Sequence, residues 1–168
     1  MINALFAVDH YGGMGFNGTL PWPHNSADMK NFQTLTMGDV VVMGSRTWLD
    51  PKMPKPLTGR IVYVASSKPV THASRIEGDI NARLLEIEKQ HSDRTVWVIG
   101  GADLLGQCFG LFDNLYLTHF KGSYKVDTKI DLKSFLSGWQ PVRADVAADC
   151  TFTLVKYENL FKRIKPST

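Results

Sequence analysis

The sequence contains little of what disulfide-stabilised, metal-binding or membrane-spanning proteins require. Among its 168 residues are 2 cysteines, Cys108 and Cys150, which stand far apart and lack the spacing of metal ligands. No apolar run approaches the length of a membrane span, and no signal-peptide pattern opens the chain. We therefore expect a cytoplasmic protein with reduced thiols that binds neither a metal ion nor a membrane.

The sequence also has only a small excess of one sign of charge over the other. The formal net charge is +3 at pH 7, and the one basic cluster, Lys162, Arg163 and Lys165, stands at the C-terminal end, where we expect it to be solvated. A mild positive charge without a basic block argues against nucleic acid as a partner. It suits a modestly anionic small ligand.

The length and the order of the apolar segments predict one α/β domain over residues 1–168. Hydrophobic residues make up 43% and charged residues 21%, as in ordinary globular proteins. Strands are predicted at 2–8, 40–43, 60–65, 95–99, 115–119 and 151–159, and helices at 26–36, 80–91 and 101–109. Because strands and helices alternate through residue 109, we expect a mainly parallel sheet, and the β-rich remainder predicts a late antiparallel strand.

Asp28 lies in the first turn of the first predicted helix, for which Ser26 is the candidate N-cap. Met29 and Phe32 are expected to flank its carboxylate, and such a group is costly unless a partner pairs with it. An amidine-like ring would pair through two parallel hydrogen bonds, which predicts a pocket for a nitrogen-rich heterocycle and a pKa raised by burial. Alternatively, Asp28 only stabilises the helix N-terminus through the dipole, and its spacing leaves both interpretations open.

A glycine-rich loop precedes this helix. Its sequence, Gly13-Met14-Gly15-Phe16-Asn17-Gly18, matches the dinucleotide-binding pattern G-x-G-x-x-G after a predicted strand. That pattern should also open a helix, but Pro21 and Pro23 follow, and proline does not continue a helix. We therefore interpret the segment as a mobile loop that closes over a ligand.

Polar or glycine-rich segments follow three predicted strands: Gly44-Ser45-Arg46-Thr47, Ser66-Ser67 and Gly100-Gly101. Ligands of open α/β sheets bind beyond the carboxyl ends of strands, where hydroxyls, a guanidinium and helix-start amides suit phosphate. Capping of short helices and close strand–helix packing are the alternatives. Arg60, with Lys55 nearby, would grip a substrate carboxylate or would only be solvated. His119 stands alone on a strand, and we assign it no chemistry.

Taken in order along nearly the whole chain, the segments resemble dihydrofolate reductases. The matching segments are Ala7-Val8-Asp9, Gly18-Thr19-Leu20-Pro21-Trp22, the Asp28/Phe32 helix, Val42-Met43-Gly44-Ser45-Arg46-Thr47-Trp48, Pro56-Leu57-Thr58-Gly59-Arg60, Ser66-Ser67, Val98-Ile99-Gly100-Gly101-Ala102 and Leu117-Thr118-His119. Each motif alone is weak, whereas the ordered set is specific. The resemblance implies a central, mostly parallel mixed β-sheet of about eight strands, about four flanking helices and an antiparallel C-terminal strand.

The resemblance also implies the reaction. It is the NADPH-dependent reduction of 7,8-dihydrofolate to 5,6,7,8-tetrahydrofolate, by hydride transfer to C6 and protonation at N5. This reaction supplies one-carbon metabolism and thymidylate synthesis. The implied protein is a monomer that antifolates inhibit.

Site residues follow from the same resemblance. Asp28 corresponds to the carboxylate that holds the pterin, Thr118 to the threonine that supports it, and Trp22 to the loop that closes over nicotinamide and substrate. These three are the implied catalytic residues. Substrate contacts are implied for Asn3, Leu5, Leu20, Asp28, Met29, Phe32, Lys55, Leu57, Arg60 and Thr118, with Arg60 on the glutamate α-carboxylate. Cofactor contacts are implied for Leu5, Met14, Gly15, Phe16, Asn17, Gly18, Thr19, Ser45, Arg46, Thr47, Ser66, Ser67, Ile99, Gly100, Gly101, Ala102, Asp103 and Leu104, with a cis Gly100–Gly101 bond.

Several positions depart from the family pattern. Asn3 replaces an aliphatic residue and Leu5 replaces alanine, so the shape of the pterin pocket and its preference among inhibitors are open. Leu105 replaces an aromatic residue. Ser45 stands where some members carry a phosphate-binding arginine, and Arg46 is expected to compensate for it.

Two other functions remain alternatives. A pyrimidine reductase of the riboflavin pathway shares this type of fold, but it would need neither Asp28 beside Phe32 nor Arg60. A non-catalytic folate-binding or assembly module is the second alternative. The joint presence of Asp28, Trp22 and Thr118 argues against it.

Overall fold

The computed structural model describes residues 1–161. In chain order its elements are β1 (Ile2–Val8), β2 (Gly13–Gly15), α1 (Ser26–Thr36), β3 (Val40–Gly44), α2 (Ser45–Leu49), β4 (Ile61–Ala65), β5 (Ser74–Ile76), α3 (Ile80–Gln90), β6 (Val96–Val98), α4 (Ala102–Gln107), a 3₁₀ turn (Phe109–Leu111), β7 (Asn114–Phe120), β8 (Thr128–Lys129), α5 (Leu132–Phe135), β9 (Trp139–Val146) and β10 (Phe152–Asn159). The basic cluster at Lys162, Arg163 and Lys165 lies outside the described residues.

Eight strands form one sheet in the order β5-β4-β3-β6-β1-β7-β10-β9. The pairs from β5 to β7 are parallel, and β10 runs antiparallel to both β7 and β9. The mostly parallel mixed sheet and its antiparallel C-terminal strand are therefore confirmed. The described residues form five α-helices rather than about four, because Ser45–Leu49 and Leu132–Phe135 each form a short helix. Strands β2 and β8 pair separately as a small antiparallel sheet.

The central strand β3 is covered on both faces. Val40 and Val42 belong to one hydrophobic cluster, and Val41 and Met43 belong to the other. All four side chains are fully buried. Because successive side chains of a strand point to opposite faces, the continuous apolar run is what a doubly covered strand requires. The carboxyl end of β3 lies between those of β4 and β6, at the edge where the site described below begins.

Helix α1 has the predicted bounds, but its N-cap is Asn25 rather than Ser26. The Asn25 side-chain oxygen accepts a hydrogen bond from the backbone N–H of Asp28 at 3.0 Å. Asn25 has the extended backbone that a cap requires, whereas Ser26 is already helical. The helix ends at Thr36 with Met37 as its C-cap, before Gly38 with φ +80°, a conformation that glycine adopts without steric cost.

Other differences from the predicted elements have local causes. The helix predicted at 101–109 ends at Gln107, and the chain continues as the 3₁₀ turn Phe109–Leu111. Strand β5 was not predicted because its three residues are too few to show a pattern. Strand β9 was not predicted because it lies at the sheet edge with mostly exposed side chains and carries Pro141, so it has no alternating signal. Within residues 1–161, no helix is long and apolar enough to cross a membrane.

Candidate active site

A cleft of about 1640 Å³ opens at the carboxyl edge of the parallel strands. Pockets for one drug-sized molecule usually measure roughly 300–1,000 Å³, so the cleft has room for two ligands side by side. It is bordered by the glycine-rich loop, by α1 and by the ends of β3, β4 and β6. The predicted site residues that line it are Leu5, Met14, Gly15, Gly18, Thr19, Leu20, Trp22, Asp28, Met29, Phe32, Ser45, Arg46, Thr47, Ser66, Ser67, Ile99, Gly101, Ala102, Asp103, Leu104 and Thr118.

A smaller cavity of about 320 Å³ adjoins the cleft. Four residues, His24, Met29, Phe32 and Pro54, line both spaces, so the two adjoin along α1. Leu57 and Arg60 line the smaller cavity and not the cleft. An elongated ligand in the cleft can therefore extend one end toward a guanidinium.

Five predicted site residues line neither space: Asn3, Phe16, Asn17, Lys55 and Gly100. Asn3 is buried within the sheet, and its side-chain oxygen accepts a hydrogen bond from Asn114 Nδ2 at 3.1 Å. Leu5, two residues further on the same face of β1, does line the cleft. The Lys55 side chain points back to the segment that precedes it, where its Nζ donates to the Asp50 carbonyl at 3.3 Å.

The Asp28 carboxylate lines the cleft and is hydrogen-bonded to a residue far away in the sequence. The Thr118 hydroxyl of β7 donates a hydrogen bond to Asp28 Oδ1 at 3.3 Å, although 90 residues separate the two positions. Burial raises the pKa of Asp28, and the Thr118 hydrogen bond opposes that rise in pKa. Asp28 occupies the first turn of α1 and also lines the ligand space, so its position is compatible with either interpretation. A partly desolvated carboxylate of this kind binds a donor-rich ring strongly.

Trp22 closes the cleft beside this carboxylate. Its indole is 3% exposed and stacks on Phe120, with ring centroids 4.4 Å apart. Its Nε1–H is buried and has no hydrogen-bond partner among residues 1–161, and the same holds for Thr19 Oγ1. A buried donor without a partner costs about 1–3 kcal/mol, so the fold places the Trp22 indole here at a cost in stability. Leu20, between Trp22 and Thr19, is 41% exposed.

The glycine-rich loop is held by the segment before β8, whose Asp127 also lines the cleft. The Asn17 backbone N–H donates to Asp127 Oδ2 at 2.9 Å, and the Asp127 N–H donates to the Gly15 carbonyl at 3.0 Å. Lys125 Nζ lies 5.2 Å from the centroid of the Phe16 ring. These contacts explain why Phe16 and Asn17 turn away from the cleft while Gly15 lines it.

Arg60 is positioned by three groups around the smaller cavity. Its Nε donates to the Thr58 carbonyl at 3.2 Å, and its Nη1 donates to Thr36 Oγ1 at 3.4 Å. The guanidinium carbon lies 5.8 Å from the centroid of the Phe32 ring. The side chain is thus fixed by packing and hydrogen bonds, without a carboxylate partner among the described residues.

Three neighbouring parallel strands end in hydroxyl, guanidinium and glycine residues at the other part of the cleft. Helix α2 follows β3 directly and α4 follows Gly101, and the first amides of any helix have no intrahelical acceptor. The Gly100–Gly101 peptide bond is cis, as the resemblance implied. Gly100 has φ +126°, a backbone conformation that favours glycine, and its carbonyl accepts a hydrogen bond from the Gly44 N–H at 2.8 Å.

Some lining residues were not predicted. Leu35 lies three residues beyond Phe32, so the helical period would have found it on the cleft side of α1. Glu77 and Gly78 follow β5, and no signal identified that short strand in the sequence. Other unpredicted lining residues are Ala7, Met53, Pro54, Ile80, Gln107, Asp127, Thr128, Lys129 and Leu154.

Two further titratable side chains, those of His119 and Cys108, do not line the cleft. His119 Nε2 is 2.9 Å from the Tyr157 hydroxyl, and burial lowers the pKa of His119. Burial raises the pKa of the Cys108 thiol to about 12, which makes it unreactive at neutral pH. Over residues 1–161, no group of three or more His, Cys, Asp or Glu side chains is arranged to hold a metal ion.

Comparison with known proteins agrees with this geometry. The family model described as dihydrofolate reductase matches residues 1–159. The chain is 32% identical to dihydrofolate reductase type 9 of Escherichia coli over 149 residues, which covers 84% of this chain and 81% of that protein. It is 33% identical to a viral dihydrofolate reductase of Saimiriine herpesvirus 2 over 154 residues (80% and 72%) and 29% identical to the dihydrofolate reductase of Sus scrofa over 166 residues (86% and 89%). On the matched family model, the similar relatives and the fold, this chain belongs to the dihydrofolate reductase family of oxidoreductases.

Proposed function

We propose that this protein reduces 7,8-dihydrofolate to 5,6,7,8-tetrahydrofolate with NADPH. The observation that carries the proposal is the half-buried Asp28 carboxylate, with the Thr118 hydroxyl 3.3 Å away, in a cleft with room for two ligands. Family membership supports the reaction class. Its action as a cytoplasmic monomer, with one domain over residues 1–168, stays a prediction from the sequence.

Asp28 holds the substrate in this proposal. Its carboxylate accepts two parallel hydrogen bonds from the amidine-like edge of the pterin, and Thr118 donates to the same carboxylate and keeps it oriented. Met29 and Phe32 line both the cleft and the smaller cavity, so they cover the pterin and the benzoyl group as apolar walls. Arg60, in the smaller cavity, pairs with the α-carboxylate of the glutamate tail.

The proton reaches N5 from water in this proposal, and NADPH, when bound, supplies the hydride that C6 accepts. Asp28 acts by electrostatics rather than as the proton donor. Its negative charge, partly removed from water, stabilises a protonated pterin and so favours the proton on N5. Trp22 and Leu20 exclude bulk water from the reacting atoms when the loop closes.

The residues at the strand edge fit a nicotinamide dinucleotide. Ser45, Thr47, Ser66 and Ser67 offer hydroxyls along the cleft wall, and the glycine pair allows a pyrophosphate to approach the backbone closely. Arg46 lines the same wall and makes no ion pair with any residue from 1 to 161, so its guanidinium is available to a phosphate.

One spectrophotometric assay tests the proposal. NADPH oxidation at 340 nm should depend on dihydrofolate and should not proceed with a ribosylaminopyrimidine phosphate. Asp28→Asn should lower turnover at pH 7 by roughly 10²- to 10⁴-fold, with partial recovery at acidic pH where the substrate protonates in solution. The matched control Asp93→Asn, an exposed turn residue outside the cleft, should keep the wild-type rate. A near-wild-type rate for Asp28→Asn at pH 7 would reject the role of this carboxylate.

A further inference from the structure

An ion pair at the edge of the cleft has no part in the reaction proposed above. Arg75 belongs to β5, and Glu77 follows that strand directly. Arg75 Nη2 lies 2.6 Å from Glu77 Oε1, and Arg75 Nη1 donates to the Ser67 carbonyl at 3.0 Å. One guanidinium therefore ties Glu77 to the Ser66-Ser67 segment, where the proposed cofactor binds.

The two partners face the ligand space unequally. Glu77 lines the cleft, whereas Arg75 does not. The Glu77 side chain is 63% exposed and that of Arg75 is 32% exposed. The wall beside Ser67 thus presents a negative charge to a ligand, while the neighbouring positive charge is already paired. Arg46 remains the arginine that lines this cleft without an ion-pair partner among the described residues.

This arrangement bears on one chemical difference between two ligands. The phosphorylated and unphosphorylated forms of reduced nicotinamide dinucleotide differ by one phosphate at the adenosine 2′ position. An arginine guanidinium binds that phosphate through two parallel hydrogen bonds. A carboxylate repels the phosphate, but it accepts a hydrogen bond from the 2′-hydroxyl of the unphosphorylated form. A carboxylate that occupies the arginine fork therefore weakens discrimination in favour of the phosphorylated form.

We propose that Glu77 is a specificity-determining residue that makes the preference of this site for the 2′-phosphorylated cofactor smaller. It does so in two ways: it pairs with Arg75, and it places a negative charge beside Ser67. The placement of the adenosine half at Ser66-Ser67 rests on the proposed function. The proposal itself concerns the ratio of two affinities. That ratio is measured on the free protein, without folate and without turnover.

The experiment compares dissociation constants of NADPH and NADH by fluorescence titration of the wild-type protein and its variants. Glu77→Gln removes the negative charge and releases the Arg75 guanidinium. The ratio of the NADH constant to the NADPH constant should then rise by roughly two- to fivefold, the range of an exposed charge interaction. Arg75→Gln leaves Glu77 unpaired at the wall, and it should lower the same ratio. The effect of Glu77→Gln should shrink in 0.5 M KCl, because salt screens exposed charges.

The chain offers a matched control in the Arg83–Glu86 pair of α3. That ion pair measures 2.8 Å, its glutamate is also 63% exposed, and neither residue lines the cleft. Glu86→Gln therefore removes an equivalent exposed charge at a distance from the ligand space. It should leave the affinity ratio at the wild-type value.

The outcomes separate this inference from the proposed function. If the wild-type protein binds neither cofactor, both fail. If it binds and oxidises NADPH with dihydrofolate but Glu77→Gln leaves the affinity ratio unchanged or lowers it, the inference alone is overturned. An equal rise of the ratio in Glu77→Gln and Glu86→Gln would assign the effect to overall charge, which also overturns it.

Discussion

Replacement of Arg60 by leucine gives a quantitative prediction for substrate binding. Leucine keeps an aliphatic surface against Phe32 but removes the two-pronged interaction with the substrate carboxylate. A hydrogen bond to a charged group contributes about 1.5–3 kcal/mol, and Arg60 is only partly buried, so the pair should contribute about 2–3 kcal/mol in total. At 1.4 kcal/mol per factor of ten, the KM for dihydrofolate should rise roughly 30- to 150-fold. The KM for NADPH should stay near the wild-type value, because Arg60 lines the smaller cavity and not the cleft.

Steady-state kinetics with either ligand varied, together with equilibrium titration of dihydrofolate, would measure this effect, since KM equals the dissociation constant only when chemistry is slow. Arg60→Lys keeps the charge without the planar fork and should fall between leucine and wild type. A folate analogue that lacks the glutamate should bind wild-type protein and Arg60→Leu equally well. Equal changes in both KM values, or an equal loss of affinity for the truncated analogue, would refute a contact between Arg60 and the glutamate tail.

Three further predictions concern the groups that support this site. Thr36→Val removes the buried hydroxyl that accepts from Arg60 at 3.4 Å, and it should raise the dihydrofolate KM about threefold without changing the NADPH KM, as the same kinetics would show. Thr118→Val removes a hydrogen bond that favours the ionised carboxylate, so the pKa of Asp28 should rise further. Thr118→Ser keeps the hydroxyl and should leave the pKa of Asp28 at its wild-type value. Titration of the ¹³C chemical shift of the Asp28 carboxyl carbon against pH measures the pKa in each variant. Because burial raises the pKa of Asp28 above 3.8, Asp28 costs the ligand-free fold nothing at pH values well below 3.8, and its destabilising effect grows as pH rises from 3.8 through the raised pKa. Asp28→Asn should therefore have a higher Tm than wild type at pH 7 and the same Tm at pH 3, and a lower Tm at pH 7 would contradict this sign.

The elements that could be predicted from the sequence are those whose burial leaves a pattern. The continuous run in Val40–Gly44 predicted a doubly covered strand, and the polar start and Gly38 bounded Ser26–Thr36. Trp139–Val146 could not be predicted, because an edge strand with both faces largely exposed needs no alternation. Asn25 was overlooked as the cap because Ser26 is an equally good cap residue, and only backbone geometry separates the two.

Less of the site than of the secondary structure could be predicted from the residues alone. Asp28 and Thr118 lie 90 positions apart, and no spacing rule connects a helix start to a distant strand. Their association came from the resemblance, and the structure places them in hydrogen-bond contact. Asn3 was predicted as a substrate contact but does not line the cleft. The alternation of a strand puts Asn3 on the same face as Leu5, but it does not reveal the hydrogen bond from Asn114 to the Asn3 side chain. Glu77 was missed since the strand before it has three residues.

The central claim is that Asp28 binds the pterin edge while a reduced nicotinamide lies against the same ring. A crystal structure of the protein with NADPH and a non-reducible folate analogue tests this most directly. The account predicts an Asp28 carboxylate within about 2.7–2.9 Å of two ring donors, the distance of a charge-assisted pair, with the Thr118 hydroxyl still on the same carboxylate. A carboxylate turned toward bulk solvent, with the analogue held elsewhere, would contradict it.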